Sequence, residues 1–334
     1  MEWVDFQGCQ MMINPWPGGY AIRFARDIVH ALKPSRKHGA VHSQPITVSG
    51  ALRSVSATAG KRTVPDIIRN IFRGMEKFPQ VDVFVHGSWA DDTTTAFSDL
   101  DDLIIYRSNS FEDPELSSQF VSWLNTVDMK FCRLDPLQHH GHWMLEAGQL
   151  DCLDESYIPL TVIDGAIRLQ GRSLLNASID VRKTVSGLTS NIKTTINNIK
   201  TLFAKYKFAN INLYQMKGLI GSVLLMPAYA FQQNGKRVSK KWAIENASEL
   251  FSPDAMEAIS WSSHVRSNWH LALDSYSYCL FAFTPYLFFN PHLYRLFAQK
   301  AAPSFPADRF PELSTNSVIR LLDEVNDMTR KKKR

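Results

Sequence analysis

The sequence predicts an α+β fold, a small sheet with flanking helices followed by an all-helical C-terminal half. Residues 81–145 read as strand, strand, helix and strand, the grouping expected around one sheet. From about Leu174 onward the apolar residues recur at helical spacing. The composition suits packed cores, with 45% hydrophobic and 21% charged residues, and argues against disorder as the main state. At 334 residues the chain has the length of about two domains.

Residues 1–64 carry the weakest pattern and are assigned as an N-terminal extension packing on the sheet domain. Within them, Ala21–Leu32 has helical spacing, while Pro34 to Thr63 is rich in Ser, Gly, Lys and Arg and reads as loop or short strands. Residues 65–173 form the sheet domain. Pro65 opens a helix with Ile67, Ile68, Ile71, Phe72 and Met75 on one side. Val81–His86 is a strand ended by Gly87, and Asp99–Tyr106 is a second strand. Phe120, Leu124, Val127, Phe131 and Leu134 give a helix that Asp135-Pro136 stops. Leu137–Leu145 is expected as the third strand. A boundary near Gly171–Ala177 opens the helical domain, residues 174–330, with Val181–Phe203, Leu213–Phe231, Lys240–Leu250 and Asp254–Trp261 as its helices. Gly235 suits the end of the second of these. Trp261, Trp269, Tyr276, Phe281 and Phe283 are expected in its core. Residues 331–334 are a basic tail.

The net charge of +5 and a pI near 8.9 permit a phosphate-bearing substrate or a polyanionic partner without requiring either. The most apolar stretches, Leu219–Phe231 and Tyr276–Phe289, are too short for a membrane span, and no membrane partner is expected. None of the four cysteines is spaced as CxxC, which argues against a cysteine zinc site. No basic segment followed by an apolar run opens the chain, so a reduced, cytoplasmic setting is the expectation.

One stretch carries chemistry. A strand delivers the chain to Gly87-Ser88, where a glycine lets backbone approach a phosphate and the serine hydroxyl can bond its oxygens. A loop then leads to Ser98-Asp99-Leu100-Asp101-Asp102. Asp99 and Asp101, two apart on a strand, face the same side. Paired carboxylates call for a cation, and Mg²⁺ is the natural oxygen-liganded one. Asp102 points to the other face and is read as a supporting residue.

This arrangement resembles the nucleotidyltransferase superfamily with the DNA polymerase β palm fold. That family's pattern is a strand, Gly-Ser or Gly-Gly, a spacer, then acid-hydrophobic-acid. Gly87, Ser88, Asp99 and Asp101 match it position by position, over roughly Val81–Tyr106. The resemblance implies Asp99 and Asp101 as catalytic metal ligands for Mg²⁺ or Mn²⁺, and Gly87 and Ser88 as the cradle of a nucleoside triphosphate, ATP first among them. It also implies a third carboxylate on the next strand. Here that segment reads Leu137-Gln138-His139-His140-Gly141-His142-Trp143-Met144-Leu145, with Asp135 just before it and Glu146 just after. Gln138 does not titrate. His140 is the preferred replacement as base or ligand and His139 the second choice, either being also suited to bonding a neighbouring backbone group or Asp99. Imidazole at that position would make Mn²⁺ a plausible ion.

The segment from Leu213 to Pro227, followed by Gly235, Lys236, Lys240 and Lys241, resembles the helical domain of antibiotic nucleotidyltransferases. On that resemblance Lys217 and Lys240 or Lys241 approach the triphosphate. The backbone around Ser186-Gly187 and Ser54–Thr63 is a lesser phosphate candidate. The expected activity is transfer of a nucleoside monophosphate to an acceptor hydroxyl of a small molecule, RNA or protein. The alternative is a degenerate module that binds nucleotide without turnover, and a nucleic-acid-binding module is a third reading.

Overall fold

The computed structural model describes residues 2–6, 9–13, 46–47, 66–91, 93–153, 157–171, 178–179, 181–272 and 274–331. The readings of Ala21–Leu32 and of the Ser54–Thr63 turn, and the tail beyond Lys331, lie outside them.

The chain begins with an antiparallel pair, β1 (Glu2–Phe6) and β2 (Cys9–Ile13), and a short β3 (Ile46–Thr47). Then follow α1 (Asp66–Ile71), β4 (Asp82–His86), β5 (Asp101–Tyr106), α2 (Pro114–Leu134), β6 (Trp143–Glu146), α3 (Leu160–Asp164), β7 (Ile167–Gln170) and β8 (Ser178–Ile179). The rest is helical: α4 (Val181–Lys207), α5 (Leu213–Val223), α6 (Met226–Gln233), α7 (Lys240–Glu245), α8 (Pro253–Ser267), α9 (Ser275–Phe283), α10 (Pro291–Ala301) and α11 (Thr315–Lys331). The fold is α+β, with a small four-stranded mixed sheet in the order β6-β5-β4-β7. β4 pairs antiparallel with both β5 and β7, and β5 pairs parallel with β6.

The parallel step needs a crossover, which α2 supplies. Asp113 caps its N-terminus by accepting from the Glu115 amide, Pro114 sits in its first turn, and Asp135 ends it. Phe120, Leu124, Val127 and Phe131 pack this helix on one face of the sheet, with Val83, Val85 and Ile104. Phe84, Leu103 and Ile105 point to the other face and meet Leu145, Leu150 and Ile163. Central strands buried on both faces read as the near-continuous apolar runs found here.

Several elements differ from the sequence reading. The third strand begins at Trp143, and residues 137–142 are irregular, because their backbone groups bond side chains: Leu137 N to Asp135, His139 N to Asp99, and the His140 carbonyl to Gln138 and Arg295. Ile67, in the first turn of α1, is exposed, while Ile68, Ile71 and Phe72 are the residues that face the core. The span Leu213–Phe231 is two helices, α5 and α6, with Pro227 in the first turn of the second. Trp261, Trp269 and Phe281 are buried as expected, but Tyr276 and Phe283 are surface residues.

The helical half has its own core, centred on Ile192, Ile199, Met216, Ile220 and Val265. That core continues into the sheet domain through Phe97, Cys132 and Leu137. Phe97 sets its ring edge against Trp269 at 5.1 Å between centroids. The junction is therefore packed, and side chains of the helical half reach the end of the sheet. Among the described residues, no helix is long and apolar enough to cross a membrane.

Candidate functional site

β4 ends at His86, which pairs with Asp101 at the start of β5. Gly87 follows with φ +68, in the left-handed region that suits glycine, and opens a short turn over Gly87–Trp89. A Cβ at Gly87 would come within 3.2 Å of Asp101 Oδ2. The glycine thus keeps backbone and carboxylate in close approach. Ser88 is half-buried, and its carbonyl holds the loop by accepting from Thr93 N and Thr94 Oγ1, both at 3.0 Å.

Asp99 lies just outside β5, yet its neighbour is held as if in a ladder. The buried Gln138 side chain accepts from Leu100 N at 3.1 Å and donates to Leu100 O at 2.9 Å. A side-chain amide carries an acceptor oxygen and two N–H donors, so with one of each it can do what a partner strand does. The strand expected over Asp99–Tyr106 is in effect completed by a glutamine from the next segment.

That segment also delivers Asp135. The Lys217 ammonium, on α5 and only 3% exposed, pairs with both Asp99 and Asp135. Burial pushes the Asp99 carboxyl up, but Lys217, with His139 and His140 beyond it, outweighs burial and holds it well below the ordinary carboxylate range. Burial pushes Asp135 up to about 7, against the pull of Lys217 and with the Asp99 charge adding to it. Burial works against the Lys217 charge, and the two carboxylates more than restore it.

The two candidate histidines part here. His139 bonds through Nε2 to the Tyr214 carbonyl at 2.9 Å, and its backbone N–H approaches Asp99 Oδ2 at 3.4 Å. Burial lowers its pKa to about 4, so the ring is neutral and Nε2 carries the proton. His140 is exposed, within electrostatic reach of Asp99 and His86, and its carbonyl accepts from Arg295 at 2.8 Å. His86 itself is buried, and desolvation lowers its pKa, against Asp101 and Asp102. Its Nε2 has no hydrogen-bond partner among the described residues.

The opposite wall is cationic. Lys240 is exposed by surface area, yet protein near its ammonium makes loss of solvation the largest influence on it. That desolvation and Arg266 lower its pKa to about 8, while Asp101 and Asp99 oppose the shift. Arg266, on α8, is desolvated too and faces Asp91 in the loop after Ser88. Lys241 is exposed on α7.

Behind the site, Asp102 is fully buried and bonds His142 Nδ1 at 2.5 Å, while His142 Nε2 meets the Leu124 carbonyl at 3.0 Å. Both acceptors require protons from the ring. Burial alone would lower the His142 pKa, but Asp102, Asp128 and the Leu124 carbonyl together raise it. A raised folded-state value stabilises the fold fully below the unfolded pKa of about 6.5 and loses that contribution as pH rises through the folded value. The melting temperature of the wild type is therefore expected to fall toward that of a His142→Gln variant as pH rises from 6 to 9. A gap that does not change with pH would show that the pair is not ionic.

Among the described residues, no group of three or more His, Cys, Asp or Glu side chains is placed to hold a metal ion. Mg²⁺ seldom needs such a cage. It takes one or two carboxylates and completes its shell with water and substrate phosphates. Asp101, half-buried beside the open Gly87, fits one such ion. Asp99 does not fit a second, because Lys217 already neutralises it.

His140 and Lys240 lie within electrostatic reach of Asp99, Lys240 also within reach of Asp101, and Gly87 backs onto Asp101 with Ser88 next in the chain. Lys217 joins them, but its ammonium is committed to carboxylates. Among the described residues, no hydrogen bond or ion pair joins Lys241 to this group. Sequence reasoning missed Gln138 as a strand mimic, His86 and Arg266. It named Asp135 and Glu146 as flanking acids that a shifted strand register could still bring to the metal, and a charged residue directly before Pro136 at a helix stop was the available signal. No family model matches the chain, and neither a curated protein nor a solved structure does.

Proposed function

We propose that the protein is a metal-dependent nucleotidyltransferase with a polymerase β-like sheet domain, moving a nucleoside monophosphate from a nucleoside triphosphate to an acceptor hydroxyl. The observation that carries this is the Gly87–Asp101 juncture, glycine backbone held against a carboxylate, with Lys240 facing Asp99 and Asp101 from the helical half. Carboxylates on one wall and a cation on the other suit a triphosphate that arrives with a divalent ion.

In this reading Gly87 and Ser88 receive the β- and γ-phosphates, and Lys240 neutralises their outer oxygens. Asp101 would hold the ion, Mg²⁺ or Mn²⁺, which when bound neutralises charge on the transferred phosphoryl group and the departing pyrophosphate. His140, exposed at the same edge, takes the proton of the acceptor hydroxyl as its oxygen bonds the α-phosphorus and the bond to the β-phosphate oxygen breaks. The neutral His139 and the Gln138 clamp hold Asp99 and Leu100 still during the exchange. ATP is the first nucleotide to try.

The test is thermal stabilisation by ATP, GTP, CTP and UTP, each with Mg²⁺, Mn²⁺ or EDTA. Binding to the native state alone raises the melting temperature, by the equivalent of about 2.7 kcal/mol at a ligand concentration of 100 Kd. A metal-dependent rise with at least one nucleotide, much reduced in Lys240→Ala, is expected. No rise with any nucleotide would sink the reading. The pairing of Asp99 with Lys217 favours a second reading, a module that binds nucleotide and does not turn it over. Stabilisation without pyrophosphate release, across a panel of hydroxyl acceptors, would select it.

A further inference from the structure

We infer that Lys217 is a built-in cation of the site, so that the protein takes one divalent ion, at Asp101, where phosphoryl-transfer centres of the two-metal kind take two. In a two-metal centre the ions lie about 3.5–4 Å apart, and carboxylates neutralise both. Here one of the two motif carboxylates, Asp99, is bound to an ammonium instead, and the third acid, Asp135, is bound to the same ammonium.

The lysine has no easy way out. α5 is fixed at its start by a capping box, Asn212 accepting from the Gln215 amide at 2.9 Å. Met216, Leu219 and Ile220 on either side of Lys217 are fully buried, so the helix cannot turn without opening the core. The ammonium also lies 5.5 Å from the centroid of the Phe97 ring, a further favourable contact for a desolvated cation. Asp135 is oriented as well, since one of its oxygens accepts from Leu137 N at 2.9 Å while the other meets Lys217. Two carboxylates held around one ammonium make a closed group with at most one net negative charge. A dication seated there would have to displace the lysine into an apolar core. Among the described residues no ammonium pairs with Asp101 at salt-bridge distance, Lys240 acting on it from further off, and the missing side chain of Gly87 keeps the space beside its Oδ2 open.

The inference deepens the proposed function, because it presumes that an ion does bind at Asp101. The experiment is a Mn²⁺ count by electron paramagnetic resonance, on the full chain saturated with an ATP analogue whose α–β bridge is a methylene. One Mn²⁺ per chain is expected for the wild type and for Lys217→Arg, which keeps the charge. Two are expected for Lys217→Met, where Asp99 and Asp135 are left without their cation. Two Mn²⁺ in the wild type, or one in a folded Lys217→Met, would overturn the inference and leave the functional reading standing. No Mn²⁺ in the wild type would overturn both. Should Lys217→Met fail to fold, the wild-type count still decides between one ion and two.

Discussion

Asp101→Asn is expected to remove nucleotide transfer, by about 10²–10³-fold or more, while leaving the fold intact. The loss is that of a group acting on charge developing in the transition state. Asp101 opens β5 and is only half-buried, and its backbone pairing with His86 does not involve the side chain. Asparagine keeps the size and loses the charge, so neither the Gly87 contact nor the ladder is disturbed. The melting temperature without ligand should stay within a few degrees of the wild type. The metal-dependent rise with nucleotide should vanish. Measured side by side, these separate a lost ligand from a lost fold. A variant that transfers at the wild-type rate would end the assignment of Asp101 to the chemistry.

Arg295→Met is expected to cost about 3–5 kcal/mol of stability, read by urea unfolding, because it strands a buried charge. Arg295, on α10, bonds both oxygens of Asp128 on α2, which is fully buried; the Nη1–Oδ2 distance is 3.0 Å. Its other donation, to the His140 carbonyl, ties the 135–142 segment to the helical half, as does Tyr294 Oη donating to Pro136 O at 2.8 Å. Asp102, His142, Asp128 and Arg295 form a run of alternating charge behind the site. Removing Arg295 leaves that run with an uncompensated negative charge. Pairing it with Asp128→Leu should recover most of the loss, since replacing a buried ion pair whole by apolar groups is often neutral. A loss under about 1 kcal/mol in the single variant would show that the pair contributes little.

Much of the sheet domain was legible because its signals are local. The apolar spacing of α2, its Asp113-Pro114 start and its Asp135-Pro136 stop are neighbours in sequence, and the backbone obeys them directly. The strand, the glycine turn and the Asp99–Asp101 pair are equally short-range. The third strand was misjudged over Leu137–His142 for the opposite reason. Its residues alternate acceptably, but Gln138 and the backbone of His140 bond to Leu100 and Arg295, far away in the chain. Periodicity cannot register a partner that arrives by folding. The same holds for Tyr276 and Phe283, which are apolar enough for a core that the packing of α9 does not give them.

By itself, then, the sequence determined the α+β class, the helix that joins the second strand to the third, and the run that carries the carboxylates Asp99 and Asp101 to a strand start, where Asp101 meets Gly87. Tertiary structure alone decided what those carboxylates face. Lys217 lies 82 residues from Asp135, and Arg295 lies 167 residues from Asp128. Charge placed at such separation leaves no local pattern. Only the closing of the helical half onto the sheet brings an ammonium to Asp99, a cationic wall to Asp101 and a guanidinium beneath the histidine loop.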